Sequence, residues 1–211
     1  MRLFIVMPRM VLLRMLCGAA GLAWALALAG PTVCVAQAIG VSPGITIHVE
    51  QQGNAVAVAA RAVLTAPLPL IWETLTDYAQ FPQFIPGILS SRVVERRGPL
   101  VTVKQAGEAG FLFFTLPIDV MLEVQEKPPH VITARVLSGN LKTLDGRYHI
   151  EPDANTPGKF VLHWNGVIEP ESSLPAFIGV PLLRRNVSEQ FRGMVREIKR
   201  RVEVLRDGIK K

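Results

Sequence analysis

The chain of 211 residues is nearly without cysteine: Cys17 and Cys34 are its only two, and both fall within the first 38 residues. Everything after that point lacks a thiol for a disulfide, a thiolate metal site or a cysteine nucleophile. Histidine is scarce as well. His48, His130, His149 and His163 stand in no HExxH or HxH spacing, so a zinc site has no support. No phosphate-cradling glycine loop and no dinucleotide fingerprint is found, and no cofactor is expected. After the N-terminal segment there is no further apolar run of the ~20 residues a bilayer span needs.

What the chain does have at its start is a leader. Arg2, Arg9 and Arg14 make a basic beginning, Met15 to Gly30 is an uncharged apolar run, and Ala36-Gln37-Ala38 is a small-x-small cleavage site. The run is short for a span, and Gly30-Pro31 breaks it. Residues 1–38 are therefore expected to be an export signal cleaved after Ala38, leaving a periplasmic or secreted protein; an uncleaved membrane anchor is the competing reading. The leader removes three of the 23 basic residues and none of the 17 acidic ones, so the net charge drops from +6 to +3. That modest charge, in that compartment, argues against nucleic acid. The remaining length suits one domain with a real core, placed at residues 55–207, with 39–54 a lead-in or extra strand and 208–211 a tail.

The middle of the chain alternates. Ile45 to Leu64 reads as a strand or hairpin with Gly53-Asn54 as its turn, and Leu70 to Tyr78 as a short helix announced by Pro67 and Pro69. From Ile88 to Glu169 short strands follow one another, separated by Gly98-Pro99, Lys127-Pro128-Pro129, Ser138-Gly139-Asn140 and Asp153 to Gly158. Connections this short imply an antiparallel meander with one wet and one buried face. From Leu174 to Leu205 the residues Val180, Leu183, Val187, Phe191, Met194, Ile198, Val202 and Leu205 draw one apolar stripe down a long helix. Its other face carries Arg184, Arg185, Arg192, Arg196, Lys199, Arg200 and Arg206 among Glu189, Glu197 and Glu203, and is expected to face water or make transient contact with an anionic membrane surface. The fold class is α+β: a curved antiparallel sheet of about six or seven strands wrapped on the C-terminal helix, the arrangement called a helix grip.

The run Ala66-Pro67, Ile71-Trp72, Leu75-Thr76-Asp77-Tyr78, Phe81-Pro82 and Phe84-Ile85-Pro86-Gly87, followed by strands and the long helix, resembles the polyketide cyclase/dehydrase and coenzyme Q-binding START-like proteins. The resemblance covers roughly Ala55 to Leu205. It implies an elongated apolar tunnel between sheet and helix, gated by the loop that holds Phe81, Phe84 and Ile85. It does not imply one activity, because such folds host both binders and enzymes.

Three readings of function follow. The first is a carrier of a hydrophobic, lipid-like molecule, prenyl or quinone-like among them, contacting Trp72, Tyr78, Phe81, Phe84, Ile85, Phe111, Phe113, Trp164, Phe177 and Phe191. Two or three five-carbon units, at ~0.8 kcal/mol per methylene, suffice for binding without any special polar group. The second is a cyclase or dehydrase acting on a polyketide-like or aromatic compound in the same cavity. Its acid, base or head-group clamp would come from His163, Asp145 or Arg135. Arg135 shares its strand face with Val131 and Leu137, as a buried cation or a snorkelling side chain. Alternation favours the wet face for Asp145, Arg147, His149, His163 and Asn165, since Leu144, Tyr148, Ile150, Phe160, Leu162 and Trp164 are the better core residues. The third is an interaction module with a filled interior. Gly107 to Gly110 is read as a turn leading into the greasy cluster Phe111 to Phe114, a second lip at the tunnel mouth. No oligomeric state is assigned.

Overall fold

The computed structural model describes residues 44–111, 114–171 and 176–209, with the backbone alone at Phe111, Phe114, Ala176 and Phe177. Eight strands form one antiparallel sheet: β1 (Ile45–Gln52), β2 (Ala55–Leu64), β3 (Ile88–Arg97), β4 (Leu100–Phe111), β5 (Phe114–Lys127), β6 (Val131–Gly139), β7 (Leu141–Pro152) and β8 (Phe160–Pro170). The order across it is β1-β2-β8-β7-β6-β5-β4-β3, so the meander from β3 to β8 returns to lie beside β2. The sheet is curved and unclosed, with β1 and β3 as its edges. It has one strand more than the upper figure expected, because Ile45 to Leu64 makes two strands, Gly53 turning the chain between them with φ +63°.

The crossing from β2 to β3 is made by α1 (Leu68–Thr76), a single 3₁₀ turn at Tyr78–Gln80 and α2 (Phe81–Phe84). Proline at the start of α1 and again inside the first turn of α2 costs neither helix a hydrogen bond, since first-turn amides have no helical partner. The long helix, α3 (Ala176–Ile209), packs on β1, β2, β4 and α1. Its stripe is buried at Leu183, Val187, Phe191, Met194, Ile198 and Val202, and it is wider than expected, since Leu182 and Val195 are buried too. Leu205 differs: it is exposed with Val204 and Ile209, where the last turns of α3 run beyond the packed surface. Glu197, expected among the solvated residues, is buried between Arg200 and Arg201.

Two expectations about strands are corrected. Gly107 to Gly110 is not a turn but the continuation of β4, paired residue by residue with β5 through Phe111↔Phe114. On β6 the inward residues are Ile132, Ala134 and Val136, whereas Leu137 is 48% exposed. Both faces of β6 hold apolar side chains, so alternation alone leaves its direction undetermined.

Candidate functional site: an apolar cavity under the long helix

The concave face of the sheet and the underside of α3 do not meet everywhere. A cavity of about 140 Å³ remains between them, walled by Leu75, Tyr78, Phe81, Ile85 and Ile88 on one side and by Val187, Gln190, Phe191 and Met194 of α3 on another. Its floor comes from alternate residues of five strands, among them Val103 and Gln105 of β4, Leu122 and Val124 of β5, Ile132 and Ala134 of β6, Leu144, Gly146 and Tyr148 of β7, and Trp164 of β8. Alternation is what brings these together: each strand sends every second side chain inward. An engineered apolar cavity of about 150 Å³ takes up benzene. This cavity therefore matches one aromatic ring or one five-carbon unit, less than the two or three units an elongated tunnel would hold.

The wall segment from Asp77 to Gly87 is tied down from several directions. Asp77 and Tyr78 are adjacent, yet they are held from opposite sides. Asp77 accepts from Arg201 Nη2 of α3 at 2.8 Å, while Tyr78 Oη donates to Glu126 Oε1 of β5 at 2.8 Å. Glu126 is also gripped by Arg96 of the edge strand, with contacts of 2.8 and 3.2 Å. Burial, and then the charge of Glu126, push the Tyr78 phenol far above its ordinary range, so it stays a donor. Arg201 in turn donates to Glu197 at 2.8 Å and lies 5.6 Å from the centre of the Phe84 ring.

Close backbone approaches complete the clamp. Glu108 N–H donates to Gly87 O at 2.8 Å, and a Cβ on Gly107 would stand 2.1 Å from that same oxygen. A Cβ on Gly193 would stand 2.6 Å from Phe84 O, so α3 can cross here only with glycine. The loop expected to gate a tunnel forms part of the cavity wall in this structure, held by these contacts.

Of the residues singled out from sequence, Tyr78, Phe81, Ile85, Trp164 and Phe191 come together around the cavity. Trp72 packs partly buried against the core without lining it. Phe84 faces a separate open groove bordered by Pro82, Pro86, Leu89, Arg196 and Arg200. The side chains of Phe111 and Phe177, and the whole of Phe113, lie outside the described residues.

The three candidate acid, base or clamp residues sit elsewhere. His163 Nε2 is 2.9 Å from Glu151 Oε1, and its ring stacks at 6.2 Å on His149, its cross-strand partner on the outer face. Asp145 is exposed, and Arg135 is exposed and paired with Glu123 at 2.7 Å. Arg135 is therefore no buried cation; with Val131 and Leu137 it belongs to the outward face of β6. The pentad Gly40-Val41-Ser42-Pro43-Gly44 spells Gly-x-Ser-x-Gly, but a strand follows where a nucleophile elbow needs a helix.

Sequence reasoning missed Gln105, Gln190, Gly146 and Tyr148. Tyr148 reads as core on alternation, and nothing in its neighbours shows that its hydroxyl is left uncommitted. Among the described residues neither Tyr148 Oη nor Trp164 Nε1 has a hydrogen-bond partner, although the two residues face each other across β7 and β8 with ring centres 6.4 Å apart. Burial pushes the Tyr148 phenol up beyond its ordinary range.

No curated protein sequence matches the chain. Solved structures share the fold. The Zhui aromatase/cyclase from Streptomyces sp. R1128 superposes with a TM-score of 0.59 at 15% identity, covering 70% of this chain and 96% of that one. A STAR-related lipid transfer protein from Xanthomonas axonopodis gives 0.60 at 13% identity, covering 77% and 98%. Human STARD10 gives 0.60 at 10% identity, covering 82% and 77%. Residues 64–195 match the family model described as polyketide cyclase / dehydrase and lipid transport, and the chain belongs to that family.

Proposed function

We propose that this protein binds and carries a small hydrophobic molecule in the cavity under α3, without turning it over. The observation that supports this reading is the cavity's lining. Its described residues are apolar or neutral, and Asp, Glu, His, Lys and Arg are not among them. The titratable side chains that do line it, Tyr78 and Tyr148, are both held protonated by burial. A guest equivalent to one five-carbon unit gains about 4 kcal/mol from burial before association costs. The fold similarity to a lipid transfer protein agrees with carriage, and that to an aromatase/cyclase keeps turnover of an aromatic compound as the alternative. His163, Asp145 and Arg135 give that alternative no reach into the cavity, since they occupy the outer face.

Native mass spectrometry of protein purified from its own host tests the reading. A bound species of defined mass, released by denaturation, is the expected result. Protein that is always empty and takes up neither benzene-sized nor isoprenoid probes overturns it. The leader supports carriage outside the cytoplasm, and the same spectrum should show a chain beginning at Ile39. An intact Met1 terminus would count against export.

A further inference from the structure

The cavity's polar groups are few and unevenly committed. Tyr78 Oη is occupied by Glu126, and the Gln105 amide donates to Ser91 Oγ at 3.3 Å. Tyr148 and Trp164, cross-strand neighbours on the cavity floor with ring centres 6.4 Å apart, and the Gln190 amide of α3 have no side-chain hydrogen-bond partner among the described residues. Gly146 sits in register opposite Gly166 next to this pair, and a Cβ at Gly146 would lie 3.4 Å from the indole Nε1. Glycine there keeps the nitrogen free of a neighbouring side chain.

A tryptophan N–H can only donate, and a tyrosine held protonated presents an O–H donor through neutral pH. Donors that line an apolar cavity are left without a protein-like partner by a pure hydrocarbon, whereas a guest oxygen supplies an acceptor. A carboxylate is a poor guest for the same place. It would arrive without a cation to pair with, because the described lining holds none, and an unpaired charge is expensive to bury.

Resting on the reading that the cavity is a ligand site, we infer that it selects an uncharged, ring-sized molecule bearing one carbonyl-type oxygen, received by Tyr148 and Trp164. Tyr148 is the specificity-determining residue of the site. The apolar walls supply affinity and the donor pair supplies orientation, holding the oxygen at the β7–β8 floor with the hydrocarbon toward Phe191 and Met194.

Calorimetric titration of the full chain with three probes of matched shape tests this: acetophenone, ethylbenzene and benzoate. Acetophenone should bind roughly tenfold tighter than ethylbenzene, the gain from satisfying a buried donor, and benzoate should not bind measurably. Tyr148→Phe keeps the ring and loses the donor, so the ratio of acetophenone to ethylbenzene affinity should fall most of the way to one. The inference is overturned if the variant retains that preference, if the parent shows none, or if benzoate binds as well as acetophenone. In those cases continued binding of ethylbenzene leaves the cavity a ligand site. If neither neutral probe binds, both the inference and the reading beneath it fall.

Discussion

Tyr148 and His149 are neighbours in one strand, and Trp164 and His163 are neighbours in the next, yet the two cross-strand pairs live in different solvents. Tyr148 and Trp164 face inward, line the cavity and leave two donors uncommitted. His149 and His163 face outward, stack on one another and share Glu151 at 3.9 and 2.9 Å. A step of one residue along a strand reverses the face, so it also reverses the energetic meaning of a polar atom. Outside, water satisfies whatever the neighbours do not. Inside, the partner that the protein does not provide must come from water or from a guest held in the cavity.

The contrast can be tested by substitutions on its two sides. The largest effect is expected inside, from Phe191→Ala, which deletes a side chain only 2% exposed and enlarges the cavity. It should lower unfolding free energy by about 3–5 kcal/mol in urea titration while admitting larger probes. A loss under about 1 kcal/mol would mean that the helix does not close this space.

Glu197→Gln comes next, at about 2 kcal/mol, because it weakens the charge-assisted contacts that join α3 to Asp77 and the cavity wall. Hydrogen bonding from Arg200, opposed by burial and reinforced by Arg201, holds the Glu197 carboxyl below its ordinary range. A carboxyl depressed in the folded state contributes its stability above the unfolded value and loses it as pH falls through the folded one. The parent and variant should therefore differ at neutral pH and converge as the pH falls below the ordinary carboxylate range. A difference that grows on acidification would reverse the sign and sink the assignment.

Gly193→Ala should cost about 1–2 kcal/mol, since its Cβ meets the Phe84 carbonyl and the Pro86 ring at 2.6 Å and the backbone must yield. Unchanged stability would show that the Phe84 to Pro86 segment is loose enough to act as a gate after all. The smallest effect belongs to the outer face. His163→Ala and Arg135→Ala should each stay within about 0.5 kcal/mol and leave probe uptake as it was. A loss of binding in either would bring the outer constellation back into the site.

Much of this architecture is legible before any coordinates. Gly98-Pro99, Lys127-Pro128-Pro129 and Ser138-Gly139-Asn140 separate strands where the hairpins do turn, because turn backbone tolerates few other residues. The stripe from Leu183 to Val202 lies on one helical face and is buried. Less legible is anything that depends on a choice between two faces. Arg135 sits between Val131 and Leu137 in sequence and looks inward by association, but Ile132, Ala134 and Val136 are the better-covered set. Glu197 looks solvated by composition, and only the convergence of Arg200 and Arg201 on it shows why a carboxylate is tolerated in a buried position.

By itself the amino-acid order determined the periods of two and of about 3.6, the turns between them and the apolar stripe, since each depends on residues close in the chain and on local backbone sterics. Tertiary structure alone decided which sheet face closes, how much space is left beneath α3 and which donors go unpaired there. Those are sums over side chains as distant as Leu75, Trp164 and Met194, whose volumes and polar atoms meet only once the sheet has curled and the helix has crossed it.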